Sequence, residues 1–294
     1  MGTDVADDTL IANATVGPAP APRKANVGRA RVLAGLVSFK DTGIPNLSNT
    51  YKGRVLLEDG TVQHAIVKDL PIRELANEVL AAALGIELGL PIPRAYLASA
   101  ATGVLATSAA PKQADGSSVV FASLDAQSPS ISQIVAREPD RSGQFRALAT
   151  LARAIASTTS PGGYYGFDAW TANVDRHVGN LLFAPGPLCW LIDHGRCFTG
   201  HDWKPADLQP DGQYRNRLHE WLTPLLTDPD KDKMVAESST LAARLSSLDI
   251  GAIAAADDLL SLLGQKDFDA VVEFLSNRIQ HARRLGALAL DRIA

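Results

Sequence analysis

The chain has 294 residues, 46% of them hydrophobic and 20% charged, enough for a sizeable core in one large bilobal unit or two small domains. Its net charge of −4 offers no general basic surface for nucleic acid, and no apolar run reaches the roughly eighteen residues that would suggest a membrane span. Two cysteines, Cys189 and Cys197, are too few for a disulfide scaffold, so ordinary reduced thiols are expected.

Residues 1–28 mix acidic residues with Ala, Gly and Pro, as in Gly17-Pro-Ala-Pro-Ala-Pro22, and lack a sustained apolar stretch. They are expected to form a flexible tail and not a signal peptide. Gly2 does not make a myristoylation site, because Ala6 stands where that motif wants Ser or Thr. The cytoplasm is the expected address.

Strands are predicted over Ala30–Phe39, Gly53–Leu57 and Val62–Val67, with Glu58-Asp-Gly60 as the hairpin turn between the last two. The Gly-, Pro-, Asn- and Ser-rich stretch 40–52 lies where backbone amides could cover a phosphate, with Ser48 and Asn49 as its candidate contacts. Glu74 to Leu88 carries apolar residues at helical spacing and is stopped by Gly89-Leu-Pro-Ile-Pro93. Strands are then predicted at Arg94–Ala98, Gly103–Thr107 and Val119–Ser123, with a turn at Gln113-Ala-Asp-Gly116. The segment Ser123 to Gln127, beginning with Ser123 and Leu124, is the expected hinge between two lobes, where a base would be held by backbone hydrogen bonds.

Helices are predicted at Ile131–Val135 and Phe145–Ser157, leading through Phe167–Ala172 to the stretch Asn173-Val-Asp-Arg-His-Val-Gly-Asn180. A strand, a turn and the apolar run Leu188–Ile192 follow, ending in Asp193-His-Gly195. Asp175 and Asn180 are separated by four residues, and Asp193 comes thirteen residues after Asn180. Phosphoryl transfer relies on positioning and on magnesium ions held by hard oxygen ligands. Asn180 and Asp193 are therefore the candidate metal ligands, and Asp175 is the candidate base for the attacking hydroxyl. Beyond them, the segment His201 to Pro224, with Trp203, Tyr214 and Trp221, lies where a substrate-docking segment would fall. Long helices are predicted over Leu241–Leu263 and Phe268–Ile293 as the core face of a second lobe.

These motifs resemble those of the HipA-like kinases, distant relatives of the protein kinases and of the phosphatidylinositol 3/4-kinases. Asn-x-Asp-Arg-His-x-x-Asn followed by Asp-His-Gly is similar to that family's catalytic and metal loops. Ala65-Ile-Val-Lys68 resembles its nucleotide-binding strand, and the run from Asn77-Glu78 to Pro93 its signature helix. The resemblance implies an α+β, bilobal protein kinase-like fold. A small β-rich N-lobe with one main helix would span residues 29–124, and a larger, mainly helical C-lobe residues 125–294. It implies that Lys68 binds the phosphates of ATP, that Glu78 fixes Lys68 by ion pairing, with Glu74 as the alternative partner, and that Mg2+ is the cofactor. The implied activity is transfer of the γ-phosphate of ATP to a hydroxyl. The acceptor is expected to be protein Ser or Thr, the chain's own Ser38 and Ser48 included, with a small-molecule hydroxyl as the runner-up. Some relatives are toxins of toxin–antitoxin pairs.

Other chemistries share these residue types. His177 and His194 could join Asp175 and Asp193 in a transition-metal hydrolase site. The expected role of Arg176 and His177 is instead to brace the loop. A pseudokinase that binds nucleotide or a partner without turnover is the third reading, and the intact set Lys68, Asp175, Asn180 and Asp193 argues against it.

Overall fold

A computed structural model describes residues 24–39, 49–184 and 188–293. The first half of the described chain is rich in strands and the second half in helices, a mixed α+β architecture. In chain order the strand-rich part holds β1 (Gly28–Val32), β2 (Val37–Ser38), β3 (Asn49–Leu57), β4 (Val62–Asp69), helix α1 (Ile72–Glu87), β5 (Ala95–Ala100) and β6 (Ser118–Leu124).

The sheet runs β1-β5-β6-β4-β3, and β1 also pairs with β3, so five strands close into a barrel with β2 on the outer side of β3. Only the β1–β5 pairing is parallel. A closed barrel of this kind is not by itself the mark of a kinase. Alternation along the strands fills it: Val55, Leu57, Ala65, Val67, Tyr96, Ala98, Val120 and Ala122 form one buried cluster. Ile66 and Lys68, the other phase of β4, line a cavity instead.

Helix α1 buries every residue from Leu75 to Gly85, because it lies between β5 and β6 on one side and the helical region on the other. It ends in a Schellman turn, with Leu90 N–H donating to the Gly85 carbonyl and Gly89 N–H to that of Ile86, both at 2.9 Å. Gly89 closes the turn at φ +69°, a conformation that favours glycine.

The helical part contains α2 (Ile131–Val135), α3 (Arg141–Ala156), α4 (Gly162–Trp170), the hairpin β7 (Leu181–Ala184) and β8 (Leu188–Leu191), α5 (Arg217–Trp221), α6 (Asp228–Leu245), α7 (Ile250–Ala256), α8 (Leu259–Leu263) and α9 (Gln265–Leu288). The core of this part is α4 packed against α6 and α9. The approach is close at Gly162, where a Cβ would stand 2.0 Å from the Met234 carbonyl oxygen.

Several predicted elements are corrected. The strand expected over Ala30–Phe39 is broken into β1 and β2, with Gly35 between them at φ +89°. Gly103–Thr107 is a turn and no strand: Gly103 sits at φ +84°, and the following amides of Ser108, Ala109 and Ala110 wrap the Asp69 carboxylate. The helix expected over Leu241–Leu263 is three helices. Ser246 and Ser247 turn their hydroxyls onto the carbonyls of Ala243 and Arg244, Asp249 caps α7, and Asp258 adopts φ +63° before α8. Helix α6 itself begins earlier, at a capping box of Thr227 and Asp230, a signal readable in Thr227-Asp-Pro-Asp230. Ser48 and residues 1–23 of the expected tail lie outside the described residues. Among the described residues, no helix is long and apolar enough to cross a membrane.

Candidate functional site

The turn between α4 and β7 carries the Asn173–Asn180 stretch, and it is built on an ion pair. Arg176 is fully buried and binds Asp168 of α4 through Nε to Oδ2 and through Nη2 to Oδ1, each at 3.0 Å. Its Nη1 donates to the carbonyl of Asn180 at 3.3 Å and to that of Ile192. The Ile192 amide in turn donates to the Asn180 carbonyl at 3.2 Å. One guanidinium therefore holds the candidate catalytic and metal loops side by side, the bracing role expected for it. Asp168 and Asn173 add a further tie, Asn173 Nδ2 to Asp168 Oδ1 at 3.0 Å, while Asn173 Oδ1 receives the Asp175 amide at 3.0 Å.

Asp193 stands at the end of this arrangement in a left-handed conformation, φ +60°. Such backbone costs about 1–3 kcal/mol for a non-glycine residue and persists only where surroundings enforce it. The Asp193 side chain is met from across the molecule: Lys68 Nζ on β4 lies 2.7 Å from Asp193 Oδ1 and 2.5 Å from Glu78 Oε1 on α1. Glu78 Oε2 accepts the backbone N–H of His194 at 2.9 Å. Burial works against the Lys68 charge, but the two carboxylates outweigh it and raise its pKa. Burial likewise opposes the Glu78 charge, and Lys68 with His194 outweighs it, holding the Glu78 carboxyl well below the usual range. Glu74, the alternative partner, makes no bond to Lys68, and a Cβ on Gly195 would meet its Cγ at 2.7 Å.

These side chains line one cavity of about 1460 Å³, which also receives Asp175, His177, Asn180, Ser123, Leu124 and Asn49. Asn180 donates its carboxamide nitrogen to the Asp175 carbonyl at 2.8 Å, which leaves the amide oxygen for a cation. Asp175 is flanked by two cations and an imidazole: Arg217 Nη1 donates to Oδ1 at 3.2 Å, Arg196 Nε lies 3.6 Å from Oδ2 and His177 Nε2 lies 3.9 Å from it. Asn49 lines the cavity and donates its carboxamide nitrogen to Asp69 and Ser108 at 3.2 and 2.8 Å. In the expected hinge, the Leu124 amide donates to the Arg94 carbonyl and the Asp125 amide to that of His64. Ala126 lines the cavity, and its amide has no partner among the described residues, so a free backbone donor lies two residues beyond Leu124.

The two histidines go separate ways. His177 Nδ1 accepts the Gly179 amide at 2.9 Å, whereas His194 is buried beside Glu78 with its Nε2 unpartnered. Burial lowers the pKa of both, so the imidazoles are held neutral more firmly than usual. Among the described residues no three His, Cys, Asp or Glu side chains gather to hold a metal ion, so the cluster a transition-metal hydrolase would need is not formed by them. Both cysteines are buried and free, and burial pushes the Cys189 thiol up to about 12.

The aromatics of the 201–224 segment are packing residues. Trp203 donates Nε1 to Asn77 Oδ1 at 2.9 Å, Trp221 donates to the Arg176 carbonyl at 3.0 Å, and Tyr214 stacks edge-on to Phe274. Asn77, at the start of the run that resembles a signature helix, is a hub: its Nδ2 serves the carbonyls of Gly195, Cys197 and Gly200 at 2.8, 3.1 and 2.9 Å. Nothing local marks Arg196, beyond the β7–β8 hairpin, or Arg217, 42 positions away, as partners of Asp175.

No protein-family model matches the chain, and a search of curated proteins finds no match.

Proposed function

We propose that the protein is an ATP-dependent phosphotransferase of the HipA-like kind, its strand-rich and helical parts acting as the two lobes of a kinase-like fold. The observation that carries this reading is Lys68, held between Glu78 and Asp193 at 2.5 and 2.7 Å in a cavity that Asp175 and Asn180 also line. A lysine on a rigid strand, fixed by a helix carboxylate, is suited to hold phosphates.

The donor set suits magnesium. Asp193 and Asn180 offer hard oxygens and no thiolate or imidazole, the choice of a magnesium site completed by phosphate oxygens and water. The ammonium of Lys68 already sits against Asp193 as a cation would. When bound, magnesium would neutralise charge on the phosphates between these two residues. The chain's own residues do the rest: Lys68 binds phosphate, Asp175 accepts or orients the proton of the acceptor hydroxyl, and Arg176 keeps both loops in register.

The acceptor expected is a protein Ser or Thr, and a small-molecule hydroxyl is the second class. Calorimetric titration with magnesium-ATP tests the reading. Wild type should bind, and Lys68→Met should weaken binding about tenfold or more, the worth of roughly 1.4 kcal/mol. Absence of binding to the full chain, or binding indifferent to Lys68, would overturn it.

A further inference from the structure

Arg196 follows the Asp193-His-Gly195 turn directly and lines the same cavity as Lys68, Asp175, Asn180 and Asp193. Its backbone is fixed, because its carbonyl accepts the Val174 amide at 3.3 Å. Its side chain is held by an ion pair alone. Nε lies 3.6 Å from Asp175 Oδ2, the side chain stays 42% exposed, and no described residue accepts a hydrogen bond from the guanidinium. Arg217, the other arginine at Asp175, is already engaged: it donates to Asp175 at 3.2 Å and pairs with Glu220 at 3.7 Å. Lys68 is committed between two carboxylates. Arg196 is thus the cation beside the base whose donors remain available. A guanidinium presents its donors in a planar fork that matches the oxygens of a phosphoryl group.

We propose that Arg196 is a further catalytic residue, whose guanidinium binds the oxygens of the phosphoryl group in transit. This rests on the reading of the site as a magnesium-ATP phosphotransferase. In that step the acceptor hydroxyl oxygen forms a bond to the γ-phosphorus while the bond from that phosphorus to the bridging β–γ oxygen breaks. The electron pair of the broken bond leaves with ADP, and the hydroxyl proton passes to the Asp175 carboxylate. Charge spreads over the three equatorial oxygens of the transferring group, which must stand beside the base. Arg196 reaches that place because it reaches Asp175. A contact made only in transit raises the rate without tightening the ground state.

The experiment needs no knowledge of the acceptor. Magnesium-ADP is titrated into the full chain with and without aluminium fluoride, which mimics the phosphoryl group in transit, for wild type, Arg196→Gln and Arg196→Lys. Wild type should bind ADP more tightly with fluoride. Arg196→Gln should lose most of that gain, about a hundredfold, while its affinity for ADP alone and its melting temperature stay at the wild-type values. Arg196→Lys should recover part of the gain, charge without the fork. An equal gain in wild type and Arg196→Gln would overturn the role of Arg196 alone, as would a loss matched by weaker ADP binding and a lower melting temperature, which is what a merely structural ion pair with Asp175 would give. A wild type that binds ADP without any gain would also overturn it, and one that binds no nucleotide would overturn the phosphotransferase reading beneath it.

Discussion

Asp168 and Arg176 face each other with no solvent between them, two hydrogen bonds of 3.0 Å joining a guanidinium at 0% exposure to a carboxylate at 1%. A pair buried this deeply is weak support for stability as such, since removing two charges from water is costly. Its value here is geometric: the remaining donors of Arg176 reach the carbonyls of Asn180 and Ile192, one residue from Asp193. Asp168→Asn leaves the guanidinium uncompensated and should cost about 3–5 kcal/mol, read by chemical denaturation. An Asp168→Asn protein as stable as wild type would contradict the bracing role.

Asn77 ties α1 to the segment after Asp193. Its two amide hydrogens are shared among three carbonyls, and its oxygen takes the Trp203 indole. Asn77→Ala should cost about 1–3 kcal/mol through the groups left unpaired. Hydrogen exchange should quicken in residues 195–203 before it does in the barrel strands. Uniform exchange across both regions would count against a local hub.

Asp69 supplies the pH dependence. Burial pushes its carboxyl up, but the amides of Ser108, Ala110 and Ala109, aided by Asn49, outweigh that and hold it below the ordinary value of 3.8. A carboxyl depressed in the folded state contributes stability above its unfolded pKa and loses it as pH falls through the folded one. Wild type should therefore lose stability below about pH 4 more steeply than Asp69→Asn, which starts lower. Parallel stability curves for the two proteins would show that the turn at 108–110 does not depend on the charge.

Much of the strand-rich part was legible because its cues are local. The Asp59-Gly60 turn, the alternation through Ala65 and Val67, and the Ala-rich run closed by Gly89 each encode an element within a few residues. Closure of the barrel was not, because β1 meets both β3 and β5 through pairings distant in sequence. The breaks between the helices after Leu241 are hidden in the sequence for a related reason. Apolar periodicity continues through Ser246-Ser247 and Asp257-Asp258, where side chains take over backbone bonds, and Asp257 is drawn away to receive the Val27 amide at 2.7 Å. In the site, the pairing of Lys68 with Glu78 was implied by the family resemblance and not by any local cue, and the structure brings the two to 2.5 Å. The two arginines at Asp175 and the hub at Asn77 come from contacts over long separations, which spacing alone does not reveal.

The central claim is tested most directly by incubating the full chain with magnesium and γ-labelled ATP, with a cell extract as acceptor source, and following both the nucleotide and the label. Wild type should convert ATP to ADP with the label carried to a hydroxyl, on Ser or Thr of a protein or on a small molecule. Lys68→Met and Asp193→Asn should each lose this conversion by about a hundredfold or more. ATP left intact by the wild-type chain, or turnover that survives loss of Lys68, would contradict the account.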